Sequence, residues 1–447
     1  MPGKERKLRG RRGTRTGPVL RLWSKTRAEG KVMSINITKK KKALAFAHAF
    51  LHMPKYALGY NIERSTILLL LCFYSFVATY ALSEAEEIVE IDGVEYCCLD
   101  AQRFGASKVP GKCVLGRSGL GCAVNIPDDR KRLYIPKTIK GKQVVKIEKE
   151  ACSHLADIEE IVLPNGINEI GENAFRECWA LKRINIPSSV HTIGGSTFKD
   201  CEKLEGISLP ANVKLGHGLF ENCSSLERFL FPKGIRVPYG YLNNGVWNNG
   251  VPNGMFKGCT ALKTIVIPSD FTKIGAYAFA GCSGLINIDI PPAIISVGNG
   301  AFCECLKLET INLPESVAEI GGAAFNGCIN LKAIKLPFRI TKIEGGPVAK
   351  GGVFGNCKSL TTIAIPENVE EIGMYAFLDC SSLQTVSFSP IMQKIRVTDA
   401  AFSGCTSLKE IILPRSIAAS VLDKKFDYRF DSKKLRDLPG LKITYLD

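Results

Sequence analysis

A sequence pattern recurs with a period of 23 residues along most of this chain and constrains its fold more than any other feature. Its clearest copy runs from Leu308 to Cys328, LETINLPESVAEIGGAAFNGC. The Phe of each Ala-Phe-x-x-Cys segment marks the copies, at Phe175, Phe198, Phe220, Phe256, Phe279, Phe302, Phe325, Phe354, Phe377 and Phe402. Most steps are 23 residues, and the exceptions are 22, 36, 29 and 25. A repeat of this period predicts a solenoid, because a single coil cannot bury its own apolar edge.

Each part of the repeat predicts a local structure. Ile184 and Ile186 alternate with polar residues, which is typical of a short strand with one buried face. Pro187 then ends the strand, since proline has no N–H to donate to a central ladder. Gly194 follows an apolar pair, where a residue without Cβ suits a sharp turn. The segment around Phe175 predicts a short helical or 3₁₀ turn that points its ring inward.

The full pattern is L-x-x-I-x-[IL]-P-x-x-[VI]-x-x-I-G-x-x-A-F-x-x-C, and it covers residues 133–414. It resembles the 23-residue, Treponema pallidum-type leucine-rich repeats of the BspA-like surface-protein family. The resemblance implies a leucine-rich-repeat solenoid, a β-rich α/β fold of about 11 stacked coils with parallel strands. It also implies a non-enzymatic scaffold that binds host proteins, other cells or matrix.

Basic residues are concentrated at the start of the chain. Residues 1–66 hold 17 Lys or Arg and three Glu, whereas the net charge of the whole chain is +16. The other 381 residues are therefore nearly neutral, which excludes an electrostatic footprint for nucleic acid on the solenoid. A basic nucleic-acid-binding arm at residues 1–66 remains an alternative interpretation of the leader.

An uncharged apolar run occupies residues 67–82. It is short for a spanning helix, which needs about 20 residues. Ala81-Leu82-Ser83 supplies small residues at the spacing that a signal peptidase recognises, so residues 67–83 predict a signal-peptide core cleaved after Ser83. Translation from Met53 rather than Met1 would make this signal peptide of ordinary length. A signal anchor, with the basic arm in the cytoplasm and the solenoid outside, is the alternative. Membrane contact is expected only through residues 67–82.

Residues 84–132 do not repeat and predict an N-terminal β cap that closes the array. In an exported cap one or two disulfides are expected, with the pairing left open. The candidate cap cysteines are Cys97, Cys98, Cys113 and Cys122. Residues 415–447 are charged with spaced apolar residues and predict a C-terminal cap.

The repeat cysteines have a different interpretation, as a ladder of buried thiols that act as small apolar groups. They are Cys178, Cys201, Cys223, Cys259, Cys282, Cys305, Cys328, Cys357, Cys380 and Cys405. Stacked in line about 5 Å apart, they would not converge as a disulfide requires. No C-x-x-C pair or histidine spacing suggests zinc, and no catalytic motif occurs, so we expect no metal, no cofactor and no enzyme.

Two surfaces are the candidate binding sites. The exposed face of the repeat strands carries Asn185, Ser208, Asp289, Asn312 and Lys335. The insertion before Met255 combines aromatic and amide side chains, which suit sugar or protein recognition or else form ordinary turns. Its candidate contacts are Tyr239, Tyr241, Asn243, Asn244, Trp247, Asn248 and Asn249. We therefore expect a secreted or cell-surface scaffold for protein or glycan ligands, or alternatively a structural component of a surface layer.

Overall fold

The solenoid consists of short strands joined by turns. The strands form two rows, row A and row B, and within each row they pair in parallel. The computed structural model describes residues 87–91, 94–100, 112–115, 124–125, 130–235, 237–238, 247–248, 250–347, 351–427 and 431–446. All of them belong to the second of two compact units, Met1–Leu82 and Ser83–Asp447. The predictions for residues 1–66 and 67–83 therefore lie outside the described residues. Among the residues that the structure describes, no helix has the length and apolar character needed to cross a membrane.

The elements follow one another in a regular order. The strands are β1 (Glu87–Ile91), β2 (Val94–Asp100), β3 (Lys112–Leu115), β4 (Val124–Asn125), β5 (Arg132–Tyr134), β6 (Thr138–Ile139), β7 (Lys142–Ile147), β8 (Glu160–Val162), β9 (Glu169–Ile170), β10 (Arg183–Asn185), β11 (Thr192–Ile193), β12 (Lys214–Leu215), β13 (Val237–Pro238), β14 (Trp247–Asn248), β15 (Gly250–Val251), β16 (Lys273–Ile274), β17 (Ser296–Val297), β18 (Thr310–Asn312), β19 (Glu319–Ile320), β20 (Ala333–Lys335), β21 (Lys342–Ile343), β22 (Thr362–Ile365), β23 (Glu371–Ile372), β24 (Thr385–Phe388), β25 (Arg396–Val397), β26 (Glu410–Pro414), β27 (Lys425–Asp427), β28 (Asp431–Lys434) and β29 (Lys442–Leu446). The helices are the 3₁₀ helix η1 (Arg415–Ile417), the α-helix α1 (Ala418–Leu422) and the 3₁₀ helix η2 (Leu435–Asp437).

Row A is formed by the repeat strands that precede Pro in each coil. It consists of β5, β8, β10, β18, β20, β22, β24, β26 and β29, with single bridges between Leu230, Val266, Asp289 and Asn312. All pairings within it are parallel and join equivalent residues of successive coils, for example Ile311 with Ile334. The alternation expected from sequence is present, since Ile184 is buried between exposed neighbours.

Row B is formed by the second strand of each coil, which has two residues except in β7 and in most coils precedes the repeat glycine. It consists of β7, β9, β11, β12, β15, β16, β17, β19, β21, β23 and β25. The strands of row B pair with one another in parallel, as Lys273 does with Ser296. Rows A and B lie on different sides of each coil. Together they form the parallel-strand solenoid of about 11 coils that the repeat predicts.

A continuous stack of ten Phe rings runs through the core. Neighbouring rings from Phe175 to Phe402 lie 5.1–5.8 Å apart between centroids, with interplanar angles of 4–20°. Nine of the ten rings, all except Phe402, are fully buried, and Phe402 is 3% exposed. Each ring is held by its backbone as well, because the N–H of Phe302 donates to the carbonyl oxygen of Ala324 in the next coil. The repeat therefore buries its largest side chain, the Phe of each coil, against the Phe of the neighbouring coils.

The segment around each Phe forms a hydrogen-bonded turn that does not extend into a helix. Near Phe175, the N–H of Arg176 donates to the carbonyl oxygen of Asn173 at 3.1 Å, as in a single 3₁₀ turn. Asn173 and Glu177, two residues on either side of Phe175, have φ of 55° and 60°. Left-handed residues at both positions interrupt right-handed helical geometry, so each coil keeps only the turn.

The repeat glycine has a different role from the sharp turn expected of it. Gly194 does not adopt positive φ. A Cβ on Gly194 would lie 2.4 Å from the backbone nitrogen of Glu172 in the preceding coil. The same close approach recurs at Gly298, where a Cβ would lie 2.5 Å from the nitrogen of Ala276. Glycine is required here because the backbones of adjacent coils are in direct contact.

Antiparallel strands lead into the first coil. β1 pairs with β2, β2 pairs with both β3 and β4, and β3 then pairs parallel with β7 of row B. The register places Asp100 opposite Cys113 and Cys98 opposite Leu115. The side chains of Cys97, Cys98 and Cys113 and the whole of Cys122 lie outside the described residues, so the cap disulfides stay a prediction.

The C-terminal segment covers the last coil and also lengthens row A. Ile417, Val421, Leu422 and Leu435 are buried against the core. β27 and β28 form an antiparallel pair. β29 then pairs parallel with β26 in full register, Ile443 opposite Ile411. Row A therefore continues for one strand, β29, beyond the last sequence repeat.

Candidate functional site

A groove of about 1060 Å³ runs along row B from β15 to β21. Its lining comes from six successive coils and includes His217, Gly250, Val251, Pro252, Asn253, Lys273, Gly275, Ala276, Tyr277, Ser296, Gly298, Asn299, Glu319, Gly321, Gly322, Ala323, Lys342, Glu344, Gly345, Gly346, Pro347 and Gly351. Its volume is at the upper end of the range found for ligand pockets, roughly 300–1,000 Å³.

The sequence of row B explains why this surface is a groove. In the three central coils the apolar residue of the strand, such as Ile274, is buried, and it is followed by a glycine, which has no side chain. The next position is also small in these coils, with Ala276, Asn299 and Gly322 in line. Backbone and short side chains therefore form the floor, while longer side chains at the first strand position, such as Lys273 and Glu319, form one wall.

Both insertions of the repeat end beside this groove. Gly250 and Val251, which follow the insertion of residues 236–249, line one part of it. Pro347 and Gly351, which flank residues 348–350, line another. The two longest departures from the 23-residue period therefore border the same surface.

Charges of both signs face the groove. Lys273 and Lys342 are balanced by Glu319 and Glu344. The Nζ of Lys342 lies 3.2 Å from Glu344 Oε2 and 3.6 Å from Glu371 Oε1. The hydrogen bond to Glu344 raises the pKa of Lys342, so the ammonium stays charged at neutral pH. Among the described residues Glu319 makes no ion pair and remains exposed.

The strand-face residues predicted from sequence lie on row A, away from the groove. Asn185, Ser208, Asp289, Asn312 and Lys335 are all exposed. The parallel register aligns Asp289, Asn312 and Lys335 in successive coils. They form one surface, but none of them lines the groove.

Two of these strand-face residues already have partners within the chain. The side-chain amide of Asn185 accepts from the N–H of Leu163 at 2.8 Å and donates to the Leu163 carbonyl oxygen at 3.0 Å. Lys335 Nζ lies 2.6 Å from Glu315 Oε1. Row A also carries an apolar pair, since Leu230 and Val266 are joined by a bridge and are 77% and 74% exposed.

The predicted loop contacts lie largely outside the described residues. That holds for Tyr239, Tyr241, Asn243, Asn244 and Asn249 and for the side chains of Trp247 and Asn248. The backbone of β14, which contains Trp247 and Asn248, pairs antiparallel with β13, so this part of the insertion is a hairpin.

The ten repeat cysteines are free and buried. Their thiols share one geometry, in which the Sγ–H donates to a backbone carbonyl oxygen of the preceding coil at 3.1–3.3 Å. Burial raises the pKa of Cys259 and Cys305, which keeps these thiols protonated. Within the part of the chain that is described, no group of three or more His, Cys, Asp or Glu could hold a metal ion.

Sequence reasoning missed the groove. The sequence signal for the groove was a small or short side chain two positions after the buried residue of each row B strand, from Asn253 to Gly322 in successive coils. That signal has meaning only once the coils are stacked, because the floor residues are 23 positions apart.

Family models agree with the repeat read from the sequence. A model described as the BspA type leucine rich repeat region, in six copies, matches residues 134–243, 249–350 and 350–427. The chain belongs to this family. Repeat proteins of the BspA type act in general as protein-binding scaffolds and are usually not enzymes.

Several solved bacterial structures are similar to this chain. The Pneumococcal vaccine antigen PcpA is 19% identical with a TM-score of 0.50, over 73% of this chain and 87% of that one. A leucine rich cell surface protein from Faecalibacterium prausnitzii is 23% identical with a TM-score of 0.44, over 74% and 95%. A leucine-rich repeat protein from Bacteroides ovatus is 26% identical with a TM-score of 0.43, over 76% and 97%. The likeness to PcpA shows the fold alone, and among curated protein sequences none matches this chain.

Proposed function

We propose that this protein is an exported, surface-displayed scaffold that binds a protein partner along the groove of row B and catalyses no reaction. The groove carries the proposal. Its lining comes from six coils, its volume is about 1060 Å³, and its floor of backbone and small side chains leaves room for another chain. Fixed backbone groups and charges of both signs give such a surface polar specificity.

A pair of glycine substitutions tests this directly. A Cβ on Gly322, in the groove floor, would meet nothing nearer than the carbonyl oxygen of Gly345 at 3.8 Å. A Cβ on Gly206, on the row A side, would meet nothing within 4 Å. Gly322→Arg therefore fills the groove without disturbing the backbone, and Gly206→Arg is a control with the same added charge and bulk.

The measurement is saturable binding of the purified full chain to intact cells and to immobilised extracellular-matrix glycoproteins. We expect Gly322→Arg to weaken binding at least about tenfold, corresponding to about 1.4 kcal/mol, and Gly206→Arg to leave it unchanged. Weaker binding in Gly206→Arg alone would show that the binding site is instead the strand face that carries Asn185, Ser208, Asp289, Asn312 and Lys335. A structural component of a surface layer, the second candidate, would show self-assembly and no saturable binding.

The insertion supports a second set of contacts beside the groove. Tyr239, Tyr241 and Trp247 supply flat amphipathic rings, and the insertion ends at Gly250 in the groove lining. Under this proposal, joint replacement of the three aromatic residues by Ala weakens cell binding. Retention of full affinity would limit the contact surface to the coils themselves.

Export rests on the apolar run at residues 67–82 and on the cell-surface relatives. The test is the N-terminal sequence of the protein isolated from its own cells, together with the fraction that contains it. A chain that begins at Glu84 in the medium or at the surface supports a cleaved signal peptide. Residues 53–83 retained in a membrane fraction indicate a signal anchor, and an intact residue 1 start in cytoplasm contradicts export.

A further inference from the structure

One aromatic side chain stands out in the groove. Tyr277 lines it and is 49% exposed. Its backbone has φ of 56°, a left-handed conformation that residues other than glycine rarely adopt. The equivalent residues of the two neighbouring coils are Gly254 and Gly300, both also left-handed. The chain therefore places an aromatic residue at a position where its neighbours have glycine.

Gly300 leaves room for the Tyr277 ring. A Cβ on Gly300 would lie 2.5 Å from Cε1 and 2.6 Å from Cδ1 of Tyr277. The ring therefore lies against the Gly300 backbone, and the N–H of Tyr277 donates to the carbonyl oxygen of Asn299 at 2.8 Å. Half of the side chain remains open to the groove.

A second tyrosine at the equivalent position provides a comparison. Tyr375 also has positive φ, of 58°, but it is only 7% exposed. It packs with Leu378 and Ala400 in a small apolar cluster. Tyr375 is therefore part of the packing, whereas no such cluster covers Tyr277.

Two amides with fixed orientation flank Tyr277 along the groove. Asn253 Oδ1 accepts from the N–H of Ala276 at 2.8 Å, and Asn299 Oδ1 accepts from the N–H of Gly322 at 2.9 Å. Because each oxygen is held by the next coil, each Nδ2 is presented as a donor, and it makes no hydrogen bond with a described residue. The two amides are two coils apart, on the order of 10 Å at the usual strand spacing.

We propose that Tyr277, Asn253 and Asn299 form a subsite for a neutral oligosaccharide, so that the groove recognises the glycan of its partner. This rests on the proposed function of the groove. The face of an aromatic ring attracts the weakly positive C–H groups of a pyranose. Sugar hydroxyls accept from the two amide donors, which lie about as far apart as two linked pyranose rings are long.

The charges and the floor of the groove favour this ligand over others. Two Lys and two Glu balance each other, which favours neutral sugars over sulfated or sialylated ones. The floor consists of glycine backbone and short side chains, so no deep apolar pocket is present for the aromatic anchor of a protein partner. Backbone polar groups at such a floor suit hydroxyls, which both donate and accept.

The experiment is saturation-transfer NMR and calorimetric titration of the full chain with lactose, maltotriose, cellotriose and chitotriose, with a heparin hexasaccharide for comparison. Tyr277→Gly removes the ring and reproduces the residue of the neighbouring coils, so the backbone is preserved. Tyr277→Phe keeps the ring. Asn299→Asp keeps the oxygen that accepts from Gly322 and removes the donor, and the equivalent position of another coil is already Asp399.

We expect at least one neutral sugar to bind the unmodified chain, with affinity lost about tenfold or more in Tyr277→Gly and Asn299→Asp and kept within about twofold in Tyr277→Phe. Thermal unfolding confirms that each variant folds. Binding of no neutral sugar at millimolar concentration, preference for the heparin hexasaccharide, or full affinity in Tyr277→Gly would each overturn the subsite. If Gly322→Arg still abolishes partner binding in that case, the scaffold function stands and only the glycan subsite fails.

Discussion

The Sγ atom of Cys305 lies 3.2 Å from the carbonyl oxygen of Phe279, one coil earlier in the chain. The same carbonyl oxygen also accepts from the N–H of Cys282 at 3.1 Å. The repeat cysteine is therefore more than a small apolar group, because its thiol supplies a second hydrogen bond to a buried oxygen between two coils.

Replacement of this thiol tests its contribution. We expect Cys305→Ala to lower the free energy of unfolding by about 1–2 kcal/mol, since it removes both a buried hydrogen bond and a packed sulfur. Cys305→Ser should recover part of this loss because the hydroxyl keeps a donor. Cys303→Ala, at a half-buried cysteine two residues away, is the control and should stay within about 0.5 kcal/mol. Urea denaturation followed by circular dichroism measures all three, and equal effects at both positions would contradict the ladder's role.

The Phe stack should dominate stability. Phe325 is fully buried, and its ring centroid lies 5.5 Å from that of Phe302 and 5.7 Å from that of Phe354. Phe325→Ala leaves a cavity between two rings and should cost about 3–5 kcal/mol. Phe338→Ala, at a ring that is 46% exposed, should cost far less. Denaturation midpoints compare the two, and a similar loss at Phe338 would show that the stack is not the main source of stability.

The repeat glycine should not tolerate even one methyl group. Gly298→Ala would place a Cβ 2.5 Å from the backbone nitrogen of Ala276, so adjacent coils must separate locally. We expect a loss of about 1–3 kcal/mol, typical of overpacking. Gly322→Ala is the matched control, because the nearest atom to its Cβ is 3.8 Å away. Thermal melting of both variants checks this, and an unchanged midpoint in Gly298→Ala would refute the proposed close contact.

Stability should fall steeply in alkali. Burial, the largest cause in each case, raises the pKa of the ladder thiols from an ordinary value of 9.0, for Cys201, Cys223, Cys259, Cys282, Cys305, Cys328, Cys357 and Cys405. Above about pH 9 the unfolded chain loses these protons while the folded chain retains them. The unfolded state then binds fewer protons, so the contribution of the thiols to the free energy of unfolding is constant below this pH and decreases as the pH rises above it.

Each such thiol contributes a slope of about 1.4 kcal/mol per pH unit. Urea midpoints between pH 8 and pH 10.5 measure the total. Cys305→Ser removes one titrating thiol and should reduce the slope by that amount, which separates the thiols from Lys and Tyr. An identical slope in the variant would show that the ladder does not govern alkaline unfolding.

The core could be predicted residue by residue, because its signal is local and repeated. The spacing of Ile184, Ile186 and Phe175 predicts which side chains point inward, and ten copies reinforce the pattern. The meaning of Gly194 was harder to predict, since a turn and a close approach of two backbones both require glycine. The strand at Lys442–Leu446 was missed because the cap separates it from the periodic region.

The sequence by itself determined the period of this protein, and through it the solenoid, the strands of row A and the buried ladders of Phe and Cys. It could do so because every coil buries its apolar residues against the neighbouring coils in the same way, with the same residue types at the same positions. Only the tertiary structure decided where a ligand could bind. Tyr277, Asn299 and Gly322 come from three different coils, and they share a surface because parallel stacking brings residues 23 positions apart to within one strand spacing of each other.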